Sequence, residues 1–156
     1  MLILNRRVGE TIRIGDEICV TVYYKLRYHV TMGVIAPSSA QLFYGDTCLR
    51  PAVLPDGERF YLISLLTMES FRIDDVELNI SFSPSYLGTG PTRKRQVRIA
   101  VAAPQSVAVH REEIYLRRLE LAGTRCPPMP FSTWLRQANL AVSSRAVARV
   151  RSSGRR

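Results

Sequence analysis

Two short clusters hold the residues best suited to chemistry. Arg6-Arg7 closes an apolar run that begins at Met1, and His110-Arg111-Glu112-Glu113 closes an alternating run that begins at Val107. Arginine presents a planar fork of N–H donors that fits phosphate oxygens and stacks on flat rings, so such clusters suit nucleic acid better than bond-making. Taken alone, an arginine pair on a strand is an edge device against aggregation, and only its context gives it a binding role. The chain has two histidines, His29 and His110, with no nucleophile motif beside either, so no enzyme activity is expected. Three cysteines (Cys19, Cys48 and Cys126) form an odd set without C-x-x-C spacing. That argues against a disulfide framework or a zinc site and fits a reducing cytoplasm. No cofactor and no metal are expected.

Charge points the same way, but unevenly. The formal net charge is +9, from 22 basic and 13 acidic side chains. Beyond residue 120 lie seven arginines (Arg125, Arg136, Arg145, Arg149, Arg151, Arg155, Arg156) and no acid. The preceding part is therefore nearly balanced, and a nucleic-acid claim for it must rest on placement. No apolar run approaches the roughly 18 residues of a membrane span, and no signal-peptide pattern opens the chain, so a cytoplasmic protein without membrane contact is expected.

The elements that must position these clusters are strands. Residues 1–7 read as a first strand, and Glu10 to Ile14 alternate before the turn signal Gly15-Asp16. Ile18, Val20, Val22 and Tyr24 show the period-2 pattern of a half-buried strand. His29 to Ile35 and Ser38 to Tyr44 add two more, parted by Ala36-Pro37. Gly, Pro and Asp between residues 45 and 58 read as a linker.

The same order of features then returns. Phe60-Tyr61-Leu62-Ile63 stands in place of Met1-Leu2-Ile3-Leu4, and Glu69 to Asp75 follow Glu10 to Asp16 in register. Val76, Leu78, Ile80 and Phe82 repeat the third strand after a one-residue deletion. Gln96 to Pro104 match His29 to Pro37, both ending in Ala-Pro. This order reads as an internal repeat of about sixty residues, the alternative being a single module that carries residues 25–94 as one insert after its third strand. The repeat divides the chain into a first repeat (1–46), a linker (47–58), a second repeat (59–122) and a basic tail (123–156). Pro84 to Lys94 read as a long hairpin loop, His110 to Leu121 as a short helix stopped by Gly123, and Trp134 to Val142 as a further helix.

The segment Met1-Leu2-Ile3-Leu4-Asn5-Arg6-Arg7-Val8-Gly9-Glu10-Thr11-Ile12 resembles the amino-terminal signature of the carbon storage regulator (CsrA/RsmA) family. Gln96 to Pro104, followed by Val107-Ala108-Val109-His110-Arg111-Glu112-Glu113-Ile114-Tyr115, resembles that family's carboxy-terminal half. The departures are Asn5, where relatives have Thr, and Ala102 and Gln105 around the Ala-Pro corner, where relatives have Asn and Lys. The resemblance implies a mainly β fold of two interlocked five-stranded modules in one chain, a pseudo-dimer, with a short helix after the second module. In family homodimers the first and fifth strands pair with the partner's inner strands, and each RNA site lies between one subunit's first strand and the other's fifth.

In a fusion, the first strand of repeat one would then meet the fifth strand of repeat two. The RNA-binding residues implied are Leu4, Asn5, Arg6 and Arg7, with Ala103, Pro104, Val109, His110, Arg111 and Glu112. At the opposite pairing, leucine, leucine and glycine are expected in place of Arg6, Arg7 and Arg111. One intact site and messenger RNA carrying GGA in single-stranded or hairpin-loop context are the expectation, with a monomeric pseudo-dimer favoured over a homodimer that swaps its repeats between chains. A small regulatory RNA or a protein antagonist is a further partner class that the resemblance implies. The alternative is a protein-interaction module of the same fold that modulates a carbon storage regulator without touching RNA.

Overall fold

The structure, a computed structural model, describes residues 1–82 and 96–122. The expected loop at Pro84–Lys94, the Trp134 helix and the arginine tail lie outside the described residues. Twelve strands and one helix are present among those described: β1 (Leu2–Arg6), β2 (Thr11–Ile14), β3 (Ile18–Lys25), β4 (His29–Ala36), β5 (Leu42–Tyr44), β6 (Thr47–Cys48), β7 (Ala52–Val53), β8 (Arg59–Leu66), β9 (Glu69–Ile73), β10 (Val76–Ser81), β11 (Val97–Ala102), β12 (Val109–Arg111) and α1 (Glu112–Leu121). The mainly β reading holds. No helix of the described residues is long and apolar enough to cross a membrane.

Two antiparallel six-stranded sheets form, ordered β1-β11-β10-β9-β5-β6 and β12-β2-β3-β4-β8-β7. Each takes three inner strands from one repeat and flanking strands from the other, which is the expected exchange. β1 pairs with β11, setting Leu4 opposite Ile99, and β8 pairs with β4, setting Ile63 opposite Met32. These are equivalent registers. Alternation builds the core between the sheets: Val76, Leu78 and Ile80 of β10 and Val97, Ile99 and Val101 of β11 are buried, while Glu77, Asn79 and Arg98 face water. One cluster runs from Leu4 through Val20, Met32, Ile63 and Phe71 to Val101, so neither repeat encloses a core by itself.

The turn hydrogen bonds repeat as well. Gly9 N–H donates to Val22 O and Met68 N–H to Ile80 O, each at 2.7 Å. Gly15 N–H donates to Ala108 O at 2.8 Å and Asp74 N–H to Gln41 O at 2.9 Å. Met68 and Asp74 hold φ of 69° and 50°, the left-handed conformation of Gly9 and Gly15 in the first repeat. The backbone has thus kept geometries that the second repeat's side chains tolerate at a cost of about 1 kcal/mol each.

The linker carries two short strands: β6 pairs with β5, and β7 pairs with β8, which is why each sheet has six strands rather than five. Ala52 and Leu54 also cover Ile35 and Phe60 on the outer face of their sheet. One expectation is corrected: Leu42 pairs with Ile73 as Val109 pairs with Ile14, so Tyr44, not Gly45, occupies the position of Arg111.

Candidate nucleic-acid interface

β1 and β12 are the strands that end the two sheets on one side. Among the described residues each therefore leaves one row of backbone N–H and C=O groups without a strand partner, and such a row can read the edges of unpaired bases. Side chains follow the strand period. Leu4 and Arg6 share the inward face of β1, and Asn5 and Arg7 point to solvent.

Arg6 is only 4% exposed. Its Nη1 and Nη2 donate to Glu113 Oε2 and Oε1, both at 2.8 Å. Nε donates to the carbonyl of Asn5 at 2.9 Å and lies 3.6 Å from Glu10 Oε2. The guanidinium is thus occupied by the protein and ties β1 to the first turn of α1. That pair holds the Glu113 carboxyl below the ordinary glutamate value, with the Arg6 hydrogen bond the largest cause. Family resemblance implies Arg6 against RNA without naming Glu113 as its partner; the strand period, with Leu4 buried two residues earlier, is the signal that turns Arg6 inward.

α1 is positioned by polar contacts and has no buried residue. Arg13 Nη2 donates to Glu112 Oε1 at 3.2 Å, and its guanidinium lies 5.1 Å from the Tyr115 ring centroid. Tyr115 donates its hydroxyl hydrogen to Asp16 Oδ1 at 3.2 Å, and Arg118 Nη1 donates to His110 Nε2 at 3.2 Å. Glu112 and Glu113 stand in the first turn, where the helix dipole favours acids. The result fixes the β12–α1 junction beside β1.

The ten residues expected at the site divide accordingly. Asn5, Arg7 and Arg111 are exposed. Leu4 is buried and Val109 packs on the core, so their side chains build the strands whose backbones face outward. His110 and Glu112 are half-buried and engaged with Arg118 and Arg13. Ala103 and Pro104 are half-buried at the corner where Val107 N–H donates to Pro104 O at 3.0 Å. Arg98, which was not singled out, is exposed directly opposite Asn5 and lines a cleft with Asn5 and Gln96.

The equivalent edges on the other side are β5 and β8, and neither is open there. Phe43 and Tyr44 pair with Cys48 and Thr47, and Arg59 and Phe60 pair with Val53 and Ala52. Leu65 is fully buried at the Arg6 position. Tyr44 donates its hydroxyl hydrogen to Glu69 Oε1 at 2.8 Å, and Arg72 lies 4.8 Å over the Phe43 ring.

A strand-exchanged β fold with one open pair of edge strands is the class defined by this geometry. Comparison with known proteins matches residues 1–43 and 90–120 to the family described as "CsrA: Global regulator protein family". The Translational regulator CsrA of Hydrogenovibrio crunogenus is 48% identical over 42 residues, which are 27% of this chain and 60% of that protein's own length. The resemblance to the carbon storage regulator family is thus shown over those two segments. No solved structure matches the chain.

Proposed function

We propose that the chain is a post-transcriptional regulator that binds GGA-containing leader or hairpin-loop RNA at one site, formed by the open edges of β1 and β12. The observation that carries this reading is the asymmetry of edges: β1 and β12 end their sheets, whereas β5 and β8 are covered by β6 and β7. Backbone groups of β1 and β12 would read the unpaired purines. Asn5, Arg7 and Arg111 would supply side-chain contacts to bases and phosphates. Arg6 serves as a positioning residue through Glu113. Two repeats in one chain, at 1–46 and 59–122, would complete each other, giving a monomer of 17.6 kDa. Occupying a message at one site would control its translation or stability without bridging two elements, so affinity gains from paired GGA elements are not expected.

An electrophoretic titration with a GGA-loop hairpin tests the reading. One RNA per chain is expected, and Arg7→Ala with Arg111→Ala should weaken binding by roughly 100-fold or more, from the loss of two charged hydrogen-bonding groups. Unchanged binding by that double variant would sink the proposal, as would two RNAs per chain. The engagement of Arg6 by Glu113 favours a second reading, a protein-interaction module that leaves RNA alone. Capture of a protein partner, with no RNA bound by the intact chain, would select it.

A further inference from the structure

The hairpin joining β3 and β4 reads Tyr23-Tyr24-Lys25-Leu26-Arg27-Tyr28-His29: three tyrosines, a lysine, an arginine and a histidine, without an acid. Hairpin turns ordinarily use Gly, Asn or Asp, whose backbone freedom the tight turn needs. None is here. Leu26 N–H donates to His29 O at 2.8 Å, which leaves Arg27 and Tyr28 as the central pair of the turn. The register of β3 against β4 shifts between Val22 and Tyr24, and such a bulge re-aims the side chains beyond it.

Tyr24 and Tyr28 are 52% and 56% exposed, and neither belongs to a core cluster. Arg27 lies 5.0 Å over the Tyr28 ring, and Lys25 lies 5.2 Å over the Phe82 ring. Exposed flat rings beside cations are what single-stranded nucleic acid uses, since every base has a face to stack and every linkage a charge to neutralise. The hairpin also stands in the right place. Gly9 N–H donates to Val22 O and Val22 N–H to Glu10 O, at 2.7 and 3.1 Å, so the hairpin rises from the turn that follows Arg7.

We propose that this hairpin is a second RNA contact, on which Tyr24 and Tyr28 stack unpaired nucleotides flanking the segment held by β1 and β12. The proposal rests on the RNA-binding reading above and names a further part of the ligand. The test uses the full chain and two RNAs, a GGA-loop hairpin alone and the same hairpin with unpaired flanks on both sides. Wild type should bind the flanked RNA more tightly. Tyr24→Ala with Tyr28→Ala should lose about tenfold on the flanked RNA, the worth of one stacked base, and leave the bare hairpin unaffected. Tyr24→Phe with Tyr28→Phe should restore the flanked affinity, because the rings suffice. Equal binding of both RNAs by the alanine variant and wild type, with Arg111→Ala still weakening both, overturns the hairpin contact and spares the β1–β12 site. Failure of wild type to bind either RNA overturns both.

Discussion

The two sides of the molecule where strands end share a backbone plan and differ in what lies against it. Among the described residues, β1 and β12 are open on one side, and on the other β5 and β8 carry β6 and β7. Matching details make the difference informative: Glu10 Oε2 accepts from Arg7 N–H and Glu69 Oε2 from Leu66 N–H, both at 2.8 Å. The frame that aims the strand ends has survived on both sides. What differs is the inward side chain, the cation Arg6 on the open side and the apolar Leu65 on the closed one, and the edge, which the linker covers on the closed side alone. A fold can keep the same strand-end frame on two sides for its core packing while leaving only one of the two edges open among the described residues.

The sharpest attempt to break the comparison is Leu65→Arg, which puts the open side's cation on the closed side. Leu65 is fully buried, and no helix follows β5 to offer a carboxylate in the place of Glu113. An unpaired buried charge costs about 3–5 kcal/mol, enough to threaten a small protein. Denaturant unfolding should show a large loss; a stable Leu65→Arg protein would mean that the two sides are interchangeable. Next comes Leu54→Ala, which loosens the linker's packing on Ile35 and Phe60. It should cost about 2 kcal/mol, the low end for a buried leucine because the cluster is small. RNA stoichiometry should stay at one per chain, since Leu65 and Tyr44 still replace the arginines. A second bound RNA would show that the linker alone had closed that side.

Much of this was legible from residue order. Alternation located the core strands, and the order of turns has a physical counterpart, because Gly9 and Met68, or Gly15 and Asp74, close equivalent hydrogen bonds. The linker strands were not legible. Two residues, as in β6 and β7, are too few to show a period, and the prolines and glycines around them read as breaks. Nor was the burial of Arg6, because charge outweighed the strand period that places it on the face of Leu4. The site residues came from family resemblance. Their division into exposed Asn5, Arg7 and Arg111 and engaged Arg6, His110 and Glu112 came from the packing of α1.

A pair of substitutions sharpens what Arg6 contributes. Glu113→Ala leaves the buried guanidinium with only the Asn5 carbonyl, the distant Thr11 carbonyl and Glu10. It should cost about 1–2 kcal/mol, for a charged hydrogen bond partly replaced by water. Arg6→Leu instead removes the charge and keeps an apolar side chain, as the closed side does at Leu65, and should stay within about 1 kcal/mol of wild type. RNA binding by Arg6→Leu should fall less than by Arg111→Ala, since Arg6 acts by holding the β1–α1 junction. Equal losses would place Arg6 in direct contact with RNA.

The smallest effect is on acid stability, and its sign follows from Glu113. Because Arg6 lowers its pKa in the folded chain, the carboxylate contributes stability that is fully present above the unfolded value, about 4.3. That contribution is lost as the pH falls through the lower folded value. Glu113→Gln keeps an acceptor for Arg6 but has no proton to gain, so the stability difference between wild type and Glu113→Gln should shrink between neutral pH and pH of about 3. The Glu113 side chain is 57% exposed, so water screens the pair and the change should be well below that of Leu54→Ala. A difference that stays constant across the acid range would mean that the ion pair does not hold the junction, and the open side would then owe its geometry to Arg13, Glu112 and Tyr115 instead.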